Sequence, residues 1–344
     1  MRKGKWVIVI GLGLLSAVLF DFFSNELRTR EHAKMQAELE GMVDERVASF
    51  EREMLLNFEL LYSIRSLFVA SEEVVHDEFA RIANSVLTRH SNIQALEWIP
   101  RIAHSERESV ERDRRVYFPS FQITEKNSRG EMTSARQRNE YYPVYFVEPY
   151  VGNEATLGYD LASSLARMSA LNESATRGAL RLTESISLVQ DKQSQKGFLA
   201  FLPVYEGSPS TRRERMDSLR GFALGVYRVG DIFKASELTK GVSGIRLTLI
   251  DRTNPDESEV LFRSESDDAV SEQLLYRRIL KDFGGRQWEI LASPTLGFVR
   301  SRTTLLPSIV LAGGIGSTLV LIGYVVLLER RSRTVEAEQI VAKE

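Results

Sequence analysis

The sequence of 344 residues contains no cysteine, nine prolines and four histidines. The lack of cysteine excludes disulfide bonds and thiolate metal sites. The sequence also lacks a nucleophile elbow, a phosphate-binding loop, a dinucleotide-binding glycine motif and an HExxH zinc motif. We therefore predict no catalytic residue, no metal site and no cofactor, and the sequence leaves open whether the chain works as part of an enzyme.

An excess of charge of one sign is also lacking. Lys and Arg number 45 and Asp and Glu number 47, which gives a formal net charge of −2. A chain with this balance has no overall field that attracts a polyanion. We therefore expect no nucleic-acid partner.

Two long apolar runs, residues 6–25 and 303–328, fit the thickness of a lipid bilayer. The first run passes into a helical pattern without a small-residue cleavage site, so we interpret it as a membrane anchor rather than a cleaved signal peptide. Basic residues flank the pair on the outer sides, at Arg2, Lys3, Lys5, Arg330, Arg331 and Arg333. Basic flanks favour the cytosol. We expect a two-pass protein of the inner (plasma) membrane, with cytosolic ends at 1–5 and 329–344 and a periplasmic or extracellular region at 24–302.

Residues 26–70 contain no proline and one glycine, Gly41. Apolar residues recur in steps of three and four from Leu39 to Phe68, which predicts a long amphipathic helix. A helix of this length that continues a membrane span is a stalk, and its stripe would pack on its own globular domain, on a second copy, or on both. The alternative is two ordinary helices that break near Gly41.

The stretch from Asn139 to Asp160 reads NEYYPVYFVEPYVGNEATLGYD. Its aromatic and β-branched part, Tyr141–Val147, predicts one buried strand, and the periodicity of Leu161–Leu180 predicts a helix. Further strands are expected at Ile93–Ile102, Gly197–Tyr205, Gly221–Val229, Ile245–Ile250, Glu259–Arg263 and Gln287–Ala292. We expect an α+β fold in which 71–235 form a membrane-distal unit and 236–302 a membrane-proximal unit.

Asp160 follows a Gly158-Tyr159 turn at the expected start of a helix. The helix dipole would stabilise a carboxylate there, and the carboxylate could accept a hydrogen bond from a ligand N–H. The alternative is an ordinary helix N-cap, and both roles can coexist on two oxygens. Four tyrosines could line an apolar slot with polar tips, or could simply pack in the core. They are Tyr141, Tyr142, Tyr145 and Tyr159.

Several short motifs follow one another in a fixed order between the two apolar runs. They are Ile93–Ile102 with Ser105–Arg107, Arg138–Val144, Glu148-Pro149, Gly158–Asp160, Gly178–Thr183, Gly197 and Pro203–Tyr205. In this order and spacing the sequence resembles a CHASE domain, the extracellular sensor module of bacterial and plant receptors. The resemblance is close over about residues 60–235.

The resemblance implies a stalk helix with two stacked PAS-like units, of which the membrane-distal one holds the ligand. In the plant cytokinin receptors an aspartate that matches Asp160 binds an adenine-like ring, a leucine that matches Leu182 contributes backbone contacts, and the following threonine matches Thr183. The side chains around these positions, in 141–143 and 161–170, differ from the plant pocket. The leading interpretation is a small, planar, partly apolar, adenine-like ligand.

Members of this family usually continue into a histidine kinase, a diguanylate cyclase or a phosphodiesterase, so the resemblance implies a cytosolic output domain or a partner kinase. We therefore expect a homodimeric membrane receptor whose input module binds a small molecule and transmits a signal across the lipid bilayer. Two alternatives stay open. One is a protein-binding sensor module with no small-molecule ligand, and the other is an enzyme tethered outside the membrane.

Overall fold

The computed structural model describes residues 2–187, 196–236, 238, 244–264, 268–271 and 274–341. Helices and antiparallel sheets alternate along the chain, so the expected α+β class is confirmed at this level. The chain divides into two compact units. One is formed by 1–41 together with 294–344, and the other by 42–293.

The described residues contain α-helices, short 3-10 helices and β-strands with the following bounds. The α-helices are α1 (Arg2–Ala70), α2 (His76–Leu87), α3 (Arg107–Arg114), α4 (Leu165–Arg177), α5 (Arg212–Asp217), α6 (Val229–Ala235), α7 (Leu296–Arg302) and α8 (Leu306–Val341). The 3-10 helices are His104–Glu106, Glu154–Thr156 and Leu161–Ser163. The strands are β1 (Ile93–Pro100), β2 (Ile102–Ala103), β3 (Thr124–Lys126), β4 (Met132–Ser134), β5 (Glu140–Tyr141), β6 (Phe146–Glu148), β7 (Arg181–Leu182), β8 (Ile186–Ser187), β9 (Lys196–Tyr205), β10 (Leu219–Arg228), β11 (Ile245–Asp251), β12 (Glu259–Arg263), β13 (Tyr276–Ile279) and β14 (Trp288–Pro294).

Helix α1 is continuous over 69 residues, so the predicted long helix is confirmed and the alternative of two helices that break near Gly41 is wrong. Its apolar stripe is buried, with Leu39, Val43 and Leu61 each 0% exposed. A glycine inside a helix costs about 1 kcal/mol relative to alanine. That cost is small beside the burial of the stripe, and the helix therefore runs through the glycine.

The larger sheet has the strand order β6-β1-β10-β9-β7, and β8 pairs with β9. Because side chains alternate along a strand, this sheet has two distinct faces. On the α1 face, the rings of Trp98 and Phe68 stack with centroids 3.8 Å apart. On the opposite α4 face, Ile99 and Phe222 share a buried cluster with Leu171 of α4. The sheet is therefore a partition between α1 and α4.

The stretch Tyr141–Val147 is not the single strand that the pattern predicts. It contributes to two short strands, β5, which pairs with β2, and β6, which pairs with β1. Between them the backbone bonds to a returning segment, as the Val144 N–H donates to the Tyr159 carbonyl at 3.1 Å and the Leu161 N–H to the Tyr142 carbonyl at 3.0 Å. Three different neighbours take the hydrogen bonds of this stretch, so no single ladder can include all of it.

The helix predicted over Leu161–Leu180 also divides. It begins as the 3-10 helix Leu161–Ser163 and continues as α4, which ends at Arg177. Gly178 follows with φ of +69°, the left-handed conformation that terminates many helices. The predicted helix is thus shorter at its C-terminal end.

The smaller sheet has the order β12-β11-β14-β13. Three of its strands are confirmed, whereas β13 was missed because its charged sequence YRRI lies at an edge and is mostly exposed. Both sheets belong to the unit 42–293, where Lys196 of β9 donates to Glu259 of β12 at 2.6 Å. The division into two stacked PAS-like units, 71–235 and 236–302, stays a prediction.

Helices α1 and α8 each contain an 18-residue window apolar enough to cross a membrane, with mean hydropathies of 1.4 and 2.2. Within the unit 1–41 with 294–344, the two helices are in contact. The Ser24 hydroxyl donates to the Pro307 carbonyl at 2.9 Å. A Cβ at Gly314 would lie 2.3 Å from the Phe20 ring, so only glycine permits this approach.

Candidate functional site

Asp160 is the last residue of the stretch that the sequence singled out, and its side chain is 0% exposed. Its Oδ1 accepts hydrogen bonds from the Tyr142 N–H at 2.9 Å and from the Ala162 N–H at 3.2 Å. The second bond caps the 3-10 helix Leu161–Ser163, so the predicted N-cap role is confirmed. Asp160 therefore joins two parts of the chain that are distant in sequence.

The second carboxylate oxygen of Asp160 accepts fewer and longer hydrogen bonds than the first. Its Oδ2 accepts one bond from Arg138, at 3.3 Å, while the same guanidinium donates to Glu125 at 2.5 Å. Burial raises the pKa of Asp160, and the bonds from Tyr142, Arg138 and Ala162 oppose that shift. Arg138 is thus shared between two carboxylates, and its stronger bond goes to Glu125.

The four candidate tyrosines lie in three different environments. Tyr142 and Tyr159 share the buried cluster of the α4 face. Tyr141 is buried in a separate small cluster with Ile102. Tyr145 is only partly buried, and the Arg114 guanidinium lies 4.6 Å from its ring centroid. The predicted single slot of four tyrosines is therefore reduced to the pair Tyr142 and Tyr159.

Leu182 and Thr183 line a cleft of about 300 Å³ between α4 and the turn that precedes β14. The Leu182 N–H donates to the Gly284 carbonyl at 3.0 Å. The Thr183 hydroxyl accepts from the Leu199 N–H at 3.1 Å. Polar side chains of Ser169 and Glu173, both on α4, face the same cleft. Leu182 and Thr183 thus lie beside α4, as do Tyr142 and Tyr159.

Sequence reasoning missed two buried ionisable residues on the α4 face, Glu97 and Arg167. Glu97 is 2% exposed in the middle of β1, and Arg167 is 8% exposed on α4. Burial raises the pKa of Glu97 to about 8, against the lowering effect of Arg167. One signal was available, because Glu97 holds the inward position between Ala95 and Ile99 in the alternating pattern of β1.

Arg167 is positioned by the tyrosine pair. Its Nη1 donates to the Tyr159 hydroxyl at 3.0 Å, and its guanidinium carbon lies 5.2 Å from the Tyr159 ring centroid. The candidate site therefore consists of buried acids, a buried guanidinium and two phenols around α4. Such groups can recognise a polar ligand inside an apolar enclosure. Within the described residues, no group of three or more histidines and acids is placed to hold a metal ion.

Two solved structures resemble the fold at low identity. The ligand-binding domain of a Pseudomonas aeruginosa amino acid chemoreceptor, in complex with L-arginine, aligns with a TM-score of 0.48 at 11% identity and covers 79% of this chain and 100% of that chain. The periplasmic sensory domain of a Campylobacter jejuni chemoreceptor aligns with a TM-score of 0.47 at 11% identity, over 80% of this chain and 99% of that chain.

A curated relative is a hybrid signal transduction histidine kinase of Dictyostelium discoideum, which is 21% identical over 340 residues. The match covers 89% of this chain and 16% of the relative, so the chain spans about one sixth of that protein. The family profile of the CHASE domain matches residues 72–262, which is more than half of the chain. The resemblance of the motifs to this family is thereby confirmed, and the chain belongs to the CHASE domain family.

Proposed function

We propose that the chain is the input module of a membrane receptor, in which the unit 42–293 binds a small molecule and the signal reaches a cytosolic output. The observation that carries the proposal is the continuity of α1. One unbroken helix contains an apolar stretch and, further along, the residues that pack on the sheet, such as Phe68 against Trp98. A rearrangement of the sheet would therefore act directly on a helix that enters the membrane.

The proposed topology places 24–302 outside the membrane and both ends of the chain in the cytosol. Its support is the basic residues in 1–5 and the cluster Arg330, Arg331 and Arg333, which flank the apolar stretches of α1 and α8. The relationship to a hybrid histidine kinase supports a kinase as the output, either in the same polypeptide or as a partner. The two sheets would correspond to the stacked PAS-like units.

We place the ligand site around α4. Tyr142 and Tyr159 belong to the buried cluster that contains Leu171 of α4, and Asp160 caps the 3-10 helix that precedes α4. Leu182 and Thr183 line the cleft beside α4. The Oδ2 atom of Asp160 is the oxygen that a ligand N–H would reach, because among the described residues only Arg138 bonds to it. Tyr141 and Tyr145 belong to the proposal as residues that hold the same segment. A planar adenine-like molecule and a small charged molecule are both candidate ligands for these groups.

The receptor would work as a homodimer that forms along α1. Three apolar residues, Leu55, Tyr62 and Val69, recur at heptad intervals and are 46%, 39% and 54% exposed. Residues seven positions apart lie on one side of a helix, so these three form an exposed apolar stripe on which a second copy of α1 would pack. Coupling between the two copies would then depend on the same helix that carries the signal.

A thermal-shift screen of the full chain in lipid nanodiscs tests the proposal. The panel contains adenine derivatives, amino acids and carboxylates. A ligand at a hundred times its Kd adds about 2.7 kcal/mol to the free energy of unfolding, so a true ligand raises the melting temperature. Asp160→Asn should weaken that effect. Glu289→Gln is the matched control, since Glu289 of β14 is also buried and pairs with an arginine, Arg252, away from the cleft.

If no compound shifts the melting temperature of the folded chain, the small-molecule proposal is wrong. Co-purification of a specific protein with the chain would then support the alternative of a protein-binding sensor module. A ligand that binds Asp160→Asn and wild type equally would keep the receptor proposal and remove Asp160 from its site.

A further inference from the structure

Glu97 is an unusual residue for the centre of a sheet. It is 2% exposed and stands between Val147 of β6 and Leu224 of β10, its direct cross-strand partners. Cross-strand partners point to the same face, so the carboxyl group enters the apolar cluster beneath α4. Within the part of the chain that the structure describes, it accepts no hydrogen bond and forms no ion pair.

Arg167 is the buried cation whose charge acts on the pKa of Glu97, and not all of its N–H groups have hydrogen-bond partners within the described ranges. Its Nη1 donates to Tyr159, whereas its Nε has no hydrogen-bond partner among the described residues. Arg167 acts on Glu97 electrostatically, but the two do not form an ion pair in the described structure. A guanidinium and a carboxyl group therefore share one apolar enclosure without direct contact.

If Glu97 and Arg167 served only to stabilise the fold, we would expect the carboxyl group and the guanidinium to form a direct ion pair. Burying a polar or charged group without a partner costs free energy, and a buried ion pair offsets that cost only when its bonds are made. The same chain contains buried acids that follow this rule. Glu111 is 8% exposed and bonds to Arg107 and Arg115, both at 2.9 Å. The separation of Glu97 and Arg167 is thus a specific property of the α4 face.

We propose that Glu97 and Arg167 are the polar recognition residues of the sensor site and that its ligand is a small zwitterion. The cationic group of the ligand would bind the Glu97 carboxylate, and its anionic group would bind Arg167 and the Tyr159 hydroxyl. Apolar side chains such as Leu171 and Phe201 would surround the remainder of the molecule. This inference rests on the proposed function, because it names the ligand class of the same site around α4.

The opposite charges of Glu97 and Arg167 require a ligand that has both a cationic and an anionic group, which can be tested. An α-amino acid carries both required groups, its methyl ester lacks the anion, and its N-acetyl derivative lacks the cation. We therefore expect at least one amino acid to raise the melting temperature of the full chain in nanodiscs, while its ester and its N-acetyl derivative do not. Adenine serves as the planar neutral probe in the same experiment.

Two variants and one control assign the effect to the pair. Glu97→Gln and Arg167→Met should each weaken binding of the active amino acid by roughly tenfold to a hundredfold, the usual effect of losing a charged hydrogen bond. Glu148→Gln should bind like wild type. Glu148 lies on the same sheet and is 6% exposed, but it points to the α1 face, where Asn84 donates to it at 3.0 Å.

Calorimetry adds a readout that a purely structural role would not change. Since Glu97 has its pKa raised to about 8, it holds a proton near neutral pH. A cationic ligand favours the carboxylate and would release that proton. Titration of the active amino acid in two buffers of different ionisation enthalpy should therefore show proton release in wild type and none in Glu97→Gln.

The outcomes separate this inference from the proposed function. Binding of adenine without binding of any amino acid keeps the receptor proposal and overturns the zwitterion. Equal affinity of wild type, Glu97→Gln and Arg167→Met for an amino acid overturns the assignment of the pair. Failure of every probe to bind a folded chain overturns both proposals together.

Discussion

The two faces of the six-stranded sheet are built from the same strands but bury different kinds of groups. The α1 face is aromatic and uncharged at its centre, where Trp98 stacks on Phe68 and Tyr227 stacks on Phe198. The α4 face encloses Glu97 and Arg167 without closing them into an ion pair. One face therefore packs the sheet against a helix that leads to the apolar segment, and the other buries ionisable groups inside an apolar core.

Truncation of the α1 face should produce the largest loss of stability. Trp98→Ala removes a ring that stacks on Phe68 and is only 7% exposed. Loss of a buried tryptophan or phenylalanine side chain costs about 3–5 kcal/mol. Denaturant titration of the full chain in detergent measures this, with Tyr117→Ala as the control, because Tyr117 is 70% exposed. A loss no larger than that of the control would mean that this contact does not hold the sheet.

On the α4 face the expected effect depends on pH. The pKa of Glu97 is raised to about 8 in the folded chain, whereas the ordinary value is 4.5. Between these two values the unfolded state binds fewer protons than the folded state, so the free energy of unfolding falls as pH rises. The slope is roughly 1.4 kcal/mol for each pH unit. The difference in stability between wild type and Glu97→Gln should therefore shift by about 2–3 kcal/mol over about two pH units, and a constant difference would contradict the buried carboxyl.

The α1 face also contains an uncharged group without a hydrogen-bond partner in the described part of the chain. Asn57 of α1 is 0% exposed, and its side-chain Nδ2 and Oδ1 have no hydrogen-bond partner among the described residues. Replacing such an amide with an apolar side chain of similar size removes a desolvation penalty of about 1–3 kcal/mol. Asn57→Leu should thus raise the melting temperature without changing ligand binding.

Asn153→Leu provides the contrast for that experiment. Asn153 is also buried, at 1% exposed, but its amide donates to the Pro149 carbonyl at 2.7 Å and accepts from Gln94 at 3.2 Å. Its replacement should lower the melting temperature. If Asn57→Leu also lowers the melting temperature, the side chain of Asn57 forms stabilising hydrogen bonds, as that of Asn153 does.

Periodicity predicted the helices and strands best where one neighbour decides the structure. The stripe of α1 is set by burial along one side, and the pattern identified it although Gly41 interrupts it. The stretch Tyr141–Val147 failed as a single strand because Tyr141, Val144 and Phe146 bond to three different neighbours, which a local pattern does not contain.

The candidate site shows the same difference between features set by residues close in sequence and features set by distant contacts. The turn before Asp160 indicated its capping role, which depends on residues close in sequence. Glu97 and Arg167 come from a strand and a helix far apart in the chain, and each alone resembles an ordinary charged residue. Only the packing of α4 on β1 and its neighbours brings them into one enclosure. Sequence reasoning had no means to connect them without that contact.

The smallest predicted effect comes from making the same change on both faces. Tyr227→Phe removes a hydroxyl that donates to the Asn57 carbonyl at 3.3 Å on the α1 face. An ordinary neutral hydrogen bond contributes about 0.5–1.5 kcal/mol. Tyr159→Phe removes the acceptor of Arg167 on the α4 face and leaves a buried guanidinium without that partner, which costs about 1.5–3 kcal/mol. The two variants should thus differ by about 1 kcal/mol in the free energy of unfolding. Equal losses would mean that Arg167 finds another acceptor, and the contrast between the two faces would then be one of packing rather than of charge.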